Sequence, residues 1–422
     1  MTGISERESA THHSKLQTHC RVCGSASLFK YLELGNTPLA NSYLRKEQLT
    51  LPEFREELAL QVCSSCGLSQ LTKVVHPDLM FSNYLYVSST TETFRNHCAE
   101  MARVLSRRAD CKRGDLVLDI ASNDGCLLSK FKDIGMNVVG VDPAVNLAAE
   151  ANAAGIKTLN AYWSSSVALE VVSKLGKPKV ITATNVFAHV DDVHEFVKAV
   201  DLCMEQKGIF VIECPYLLDF IEKNEFDTAY HEHLSYFGIT PMVHLMKMHN
   251  LQVFDIEYFK DLHGGTIRVY VSRMNDYHPA DTVKRYLERE AQFQVTGQEP
   301  FESFSDRVTM NKKKLLDVLK AEHAKGNVIW AYGASAKGNT LVNFFGISNE
   351  IVPVVIDDNP KKWGYYTPGA KMRITGIKEL NKNVDCLLLL AWNFQEEIIQ
   401  RCRAVGYEGS YIVPVPEPKI RK

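Results

Sequence analysis

Short, continuous apolar runs alternate with helix-like stretches in two separate zones of this chain, and nothing else in it constrains the fold as strongly. In the first zone the runs are 116–120, 138–142, 180–184 and 208–212, with a further run at 266–271 entered through Gly264-Gly265. In the second they are 328–332, 351–356 and 386–391. Strands apolar on both faces belong in parallel sheets covered by helices on each side. The pattern therefore predicts two α/β units, joined by a helical stretch over 280–324 that breaks near Gly297 to Pro300, with a solvated turn at Lys312-Lys313-Lys314. Residues 93–108 read as an amphipathic helix ahead of the first unit.

The 422 residues carry 48 Lys and Arg against 50 Asp and Glu, a net charge of −2. Such a balance, with no basic block, argues against duplex nucleic acid as a partner. No apolar run approaches the ~18 residues that span a bilayer. The first 19 residues are polar and lack an apolar signal region. They read as a disordered tail on a cytoplasmic protein, where thiols stay reduced.

Eleven cysteines include two C-x-x-C-G turns, Cys20 to Gly24 and Cys63 to Gly67. Each turn presents two thiolates on one side, and its glycine lets the backbone wrap round them through positive φ. Two turns make the four-thiolate set of a closed, structural zinc site with ligands Cys20, Cys23, Cys63 and Cys66. The 39 residues between the turns must form strands of their own.

In the first α/β unit, Asp119 ends a strand and Ala121-Ser122-Asn123-Asp124-Gly125 turns into a helix. Asp142 ends the next strand, 23 residues later, where an acid suits the two hydroxyls of a ribose. No G-x-G-x-x-G is present, so a dinucleotide site, and with it a dehydrogenase, fits poorly. The pattern resembles the first two motifs of S-adenosylmethionine-dependent methyltransferases. Asn185 follows a later strand, where that class lines the methionine pocket.

Acid–base groups concentrate at His189, at Tyr230-His231-Glu232-His233 and at His263-Gly264-Gly265. If 230–233 is extended, Tyr230 and Glu232 point one way and His231 and His233 the other. The H-E-x-x-H zinc motif fails because Ser235 takes the last histidine position. In the second unit, Gly333-Ala334-Ser335-Ala336-Lys337-Gly338-Asn339-Thr340 follows a strand and opens a helix, the setting of an anion site, but its order is not that of a Walker loop.

Taken in order, these blocks resemble the S-adenosylmethionine-dependent nucleotide-sugar C-methyltransferases, over roughly Cys20 to Pro416. The resemblance implies a zinc-binding domain over 1–80, a Rossmann-like methyltransferase core over 81–278 and a C-terminal α/β Rossmann-like domain over 279–422. It implies transfer of a methyl group to a sugar carbon, C3, of a nucleotide-diphosphate 4-keto-6-deoxysugar bound among the three. His233 would be the general base, flanked by Tyr230 and Glu232, with His189 facing the sugar. Tyr84 would reach the same cleft, with Tyr86 competing for that role. Asp119, Ala121, Ser122, Asn123, Gly125, Asp142 and Asn185 would hold the cofactor. His263, Arg268, Lys337 and Asn339 would meet the substrate. One departure is Ala121, where relatives commonly carry Gly. Two alternatives stay open: a methyltransferase of another small acceptor, and an inactive zinc-bearing module that only binds S-adenosylmethionine. The oligomeric state is not legible.

Overall fold

A computed structural model describes residues 13–81, 87–90, 92–260, 262 and 264–422. Tyr84, Tyr86 and His263 lie outside the described residues. Three larger sheets and one two-stranded sheet organise the rest. The first is antiparallel and contains β1 (Leu28–Pro38), β2 (Arg55–Cys63) and β3 (Ser69–Leu71). The second contains β4 (Leu116–Ile120), β5 (Asn137–Asp142), β6 (Thr158–Asn160), β7 (Val180–Thr184) and β8 (Ile209–Pro215). Next in the chain comes β9 (Ser235–Tyr236), which joins the first sheet, and then β10 (Leu251–Phe259) and β11 (Thr266–Arg273) return to the second. The third contains β12 (Ile329–Tyr332), β13 (Val354–Ile356), β14 (Arg373–Thr375), β15 (Cys386–Leu389), β16 (Ser410–Val413) and β17 (Lys419–Arg421).

The second sheet runs β10-β11-β8-β7-β4-β5-β6. Strands β4 to β8 are parallel, and the β10–β11 hairpin closes one edge antiparallel. The order reverses between β4 and β7, so the loops after these strands diverge and leave a crevice there. The expected helix before β4 is Glu92–Arg108, which buries Cys98, Met101, Ala102 and Leu105 on one face. The third sheet runs β14-β13-β12-β15-β16-β17 and is parallel except for its last strand.

The first sheet is built from two parts of the chain, in the order β9-β3-β2-β1. Strand β9 comes from the loop that follows Tyr230-His231-Glu232-His233, yet it pairs with β3, just past Cys66. Packing crosses the expected domain boundaries in the same way. One apolar core joins Tyr31, Leu60, Phe220, Phe304, Tyr332 and Leu388, and a second joins the cysteine turns to Phe187, Ile212 and Phe237. Glu290, fully buried on helix Asp281–Phe293, accepts from the N–H groups of Ile239 and Thr240 at 2.6 and 2.7 Å. It thereby caps the N-terminus of the helix Ile239–Met248 that follows β9.

Several expectations change. Lys312-Lys313-Lys314 is not a turn but mid-helix in Glu299–Ala324. Lys312 spends its donor on the Phe344 carbonyl at 2.5 Å and lies over the Phe344 ring, so the three lysines continue a helix whose other face is core. Residues 14–16 are not tail: Ser14–Leu16 pairs with Lys73–Val75. Strand β10 was not expected: it sits at the sheet edge, paired only with β11, and Gln252, Asp255 and Glu257 interrupt its apolar residues. Among the described residues no helix is long and apolar enough to cross a membrane.

The four expected thiols converge. Their sulfur atoms all lie within 4.8 Å of one another, and the Cys20–Cys66 and Cys23–Cys63 pairs are at 3.5 Å. Gly24 and Gly67 take φ of +70° and +77° and return their N–H groups to the Cys20 and Cys63 carbonyls at 2.9 and 2.8 Å. Four free, reduced sulfurs at this separation suit a tetrahedral metal and leave no open position, so the site is structural. We expect metal analysis to return one zinc per chain. We also expect Cys66→Ser to lower the thermal midpoint by roughly 10 °C or more, because ligand binding is part of the folding free energy.

Candidate active site

The cofactor crevice lies at the C-terminal ends of β4, β5 and β7. Ala121, Asn123 and Asn185 have φ of +57°, +52° and +55°, so the backbone turns sharply at each place where the sheet gives way to a loop. Ala121 and Ser122 N–H groups anchor the first turn on the Val141 carbonyl. Asp142 accepts from the N–H groups of Asn123 and Ala144, both at 2.8 Å, which fixes its carboxylate at the rim. Gly125, at φ +77°, has no room for a Cβ, which would meet the Ile156 side chain at 3.0 Å.

Asp119 is buried and receives the Thr182 hydroxyl at 2.6 Å. Burial pushes its carboxyl up to about 7, the Thr182 bond opposes that rise, and Asp142 adds to it. Among the described residues, Ser122 Oγ and Thr184 Oγ1 are buried without a hydrogen-bond partner. A crevice of acidic and hydroxyl groups with orphaned atoms fits a ligand that brings its own donors, as the ammonium and ribose of S-adenosylmethionine do. The expected set, Asp119 to Gly125 with Asp142 and Asn185, is thus gathered on one edge.

The second cluster is built on a turn. The expected extended geometry of 230–233 is replaced by a β-turn, closed by the His233 N–H to the Tyr230 carbonyl at 2.9 Å. A turn reverses direction over four residues, so its first and last side chains share a side rather than alternating. Tyr230 and His233 therefore meet, with ring centroids 4.0 Å apart and the Tyr230 hydroxyl 2.7 Å from His233 Nε2. His233 Nδ1 donates to the Thr228 carbonyl at 2.9 Å. In the neutral ring that bond leaves the lone pair on Nε2, where the tyrosine hydroxyl donates.

His189 ends a 3-10 turn after β7, and Asp192 terminates that turn by capping the next helix, its Oδ1 accepting from Glu195 N–H at 2.9 Å. Its ring stands edge-on to His233, with centroids 4.9 Å apart. Among the described residues its enclosed Nδ1 makes no hydrogen bond, and burial pulls its pKa down to about 4. It is neutral near pH 7. Glu232 and His231 point away from this pair: Glu232 accepts from Asn41 at 2.7 Å, and His231 donates to the Glu56 carbonyl at 3.2 Å.

Not every expected substrate residue reaches this place. Arg268 is buried between strands, paired with Glu213 at 2.8 Å and Glu257 at 3.1 Å, so its charge is spent inside the sheet. Asn339 is buried and donates to the Ala40 carbonyl at 2.7 Å, which fastens the third sheet's glycine loop to the loop after β1. Lys337 lies with its ammonium 5.9 Å from the Trp392 ring, and its charge draws down the carboxyls of Glu225 and Asp227. Those two acids went unremarked in the sequence. Burial holds Glu225 up at about 7, and Asp227 accepts the Trp392 indole N–H at 2.7 Å. Thr228, Asn41 and Tyr43 were also missed. Thr228 acts through its carbonyl, and Asn41 acts from a loop almost 200 residues away from Glu232 in the chain, so neither role shows in the sequence.

Three family profiles match along the chain: a zinc binding domain over 20–81, a methyltransferase domain over 92–256 and a C-methyltransferase C-terminal domain over 261–416. C-methyltransferase NovU of Streptomyces niveus is 32% identical over 404 residues, which covers 95% of this chain and 96% of that protein. The chain belongs to this C-methyltransferase family. A ubiquinone biosynthesis O-methyltransferase of Rhodopseudomonas palustris is 28% identical over 107 residues, 25% of this chain and 42% of that one. Among solved structures, an S-adenosylmethionine-dependent methyltransferase from Clostridium acetobutylicum covers 42% of this chain and 92% of its own, at 15% identity and a TM-score of 0.34. The protein is an S-adenosylmethionine-dependent C-methyltransferase with a structural zinc site.

Two outcomes follow from the cofactor crevice. Ala121→Gly should raise the thermal midpoint by about 1–2 °C, because relief of left-handed strain slightly outweighs the greater freedom of glycine in the unfolded chain. Melting curves of the two proteins check this. Asp119 has a folded pKa of about 7 against 3.8 for an ordinary aspartate, so its contribution to stability is full below about 4 and is lost as pH rises through about 7. Asp119→Asn should therefore flatten the fall in thermal midpoint between about pH 4 and 7 while weakening S-adenosylmethionine binding. An unchanged pH profile would assign the fall to another group.

Proposed function

We propose that this chain transfers the methyl group to a sugar carbon, C3, of a nucleotide-linked 4-keto-6-deoxysugar, with His233 as general base. The observation that carries the reading is the hydrogen-bond chain from the Thr228 carbonyl through His233 to Tyr230, with neutral His189 against it. Carbon is nucleophilic beside a carbonyl, and a ketone at C4 acidifies the C3 proton. His233 Nε2 takes that proton, the C–H electron pair moves toward the C4 oxygen, and an enolate forms. When bound, S-adenosylmethionine supplies the electrophilic methyl group that the enolate carbon captures. Thr228 holds Nδ1 protonated, which keeps the lone pair at Nε2 and stabilises the imidazolium that results. Tyr230 stands where a hydroxyl can donate to the developing oxyanion or pass the proton to Nε2.

The nucleotide diphosphate is assigned to the side of the third sheet's glycine loop that carries Lys337, with Lys337 as its cation. His263 and Tyr84 remain proposals for the same cleft. Duplex nucleic acid is not proposed as a partner, since the chain carries 48 basic against 50 acidic residues.

The test is mass spectrometry of reactions with S-adenosylmethionine and a panel of nucleotide 4-keto-6-deoxysugars in deuterated water. One sugar should gain the mass of a single methylene unit. That same sugar should exchange C3 hydrogen for deuterium without cofactor. His233→Ala should slow exchange about 10²–10⁴-fold while leaving S-adenosylmethionine binding unchanged. Tyr230→Phe separates the two proton routes: a loss as deep as that of His233→Ala means that the hydroxyl relays, and a loss under about 10-fold means that Nε2 acts directly. Methylation of no sugar in the panel, with cofactor bound, would overturn the substrate class.

A further inference from the structure

Arg21 lies inside the first cysteine turn, between Cys20 and Cys23, where a surface residue is the ordinary choice. Here the side chain turns inward and is 7% exposed. Its Nη1 donates to the Leu234 carbonyl at 2.9 Å, and its Nε donates to Asp191 Oδ1 at 3.3 Å. Its own backbone N–H is fixed on Gln70 Oε1 at 3.0 Å. Leu234 directly follows His233, and Asp191 lies two residues beyond His189. One planar guanidinium thus spans both histidine-bearing segments. The neighbouring Val22 carbonyl takes the His194 Nε2 hydrogen at 2.9 Å, a second tie from this turn to the segment after His189.

We propose that Arg21 is a positioning residue that holds His189 and His233 at their mutual distance, so that the cysteine turn sets the geometry of the base. The proposal rests on the reading of His233 as base. Arginine suits the task because its donors are held in a rigid fork, whereas lysine offers a single flexible point charge. Loss of the guanidinium leaves the first sheet tied to this segment, since the Leu71 N–H also reaches the Leu234 carbonyl at 3.0 Å. Asp191 is more than one-third exposed and can find water or Lys15. What is lost is the fixed span, and displacement by about 1 Å in a catalytic group can cost about 10²-fold in rate.

The test uses Arg21→Met and Arg21→Lys in the full chain. Both should keep one zinc per chain, the wild-type S-adenosylmethionine affinity and a substrate KM within about 3-fold. Their kcat and their cofactor-free C3 exchange should fall together, about 10²-fold for Met and about 10-fold for Lys. The His189 and His233 ring resonances should shift in Arg21→Met, assigned by single His→Asn variants. Resonances that stay in place overturn the proposal whatever the activity does, and so does a loss of zinc that parallels the loss of rate. Should Arg21→Met fail to fold, Asp191→Ala removes the outer arm from the surface. It should lower kcat several-fold at unchanged thermal midpoint, and wild-type kcat there overturns the proposal. Exchange that survives in His233→Ala sinks the base reading instead, and the ring resonances still report on the clamp.

Discussion

The pairing of Ser235–Tyr236 with Ser69–Leu71 governs much of this molecule. A two-residue strand contributes little on its own. Its effect comes from its position: it carries the turn that holds His233 out of its own sheet and into the one beside the cysteine cluster. The Leu234 carbonyl then serves two donors, Leu71 N–H and Arg21 Nη1. The zinc-binding turns and the acid–base turn are thereby parts of a single rigid unit. On the proposed mechanism, a metal with no open coordination position would still bear on the reaction, by stiffening the frame that carries the histidines.

The same principle explains which parts of the fold were legible. Strands β4, β5, β7 and β8 were readable because they are apolar on both faces and central in their sheet. The metal set was readable because ligand spacing within each turn is local. Strand β10 was not, because an edge strand can keep polar residues, and its identity comes from its partner β11. The active-site geometry was half legible. The residue types at 230–233 announced acid–base chemistry, but which pair would meet depended on whether the four residues are extended or turned. That is settled by Thr228 below and β9 beyond, both outside the motif. Arg268 and Asn339 show that polar residues inside family-like blocks can also bind other parts of the chain.

The third sheet illustrates how a nucleotide-binding architecture is reused. Its glycine loop after β12 and Asp357 at the end of β13 stand where such folds hold a ribose and a phosphate. In this chain Tyr43 and Lys362 both donate to the Ala334 carbonyl, at 2.6 and 2.7 Å, and Lys362 pairs with Asp357 at 3.4 Å. Protein groups therefore fill the ordinary crevice. On the proposed reading, the substrate meets the face that carries Lys337 toward Glu225 and Asp227.

Charge placement in the cleft bears directly on the proposed chemistry. Once His233 has taken a proton it is an imidazolium, with the His189 ring centroid 4.9 Å from its own. Two cations at that distance in a poorly solvated site would repel by several kcal/mol at an effective dielectric of about 20. Burial holds His189 near 4, well below the ordinary histidine range, so it stays neutral when its neighbour is charged. A neutral His189 keeps one ring N–H as a donor, and a donor is what an enolate oxygen requires. On the proposed mechanism, a neutral His189 leaves room for the charge that forms on His233, and the packing that encloses His189 then belongs to the mechanism as much as the base does.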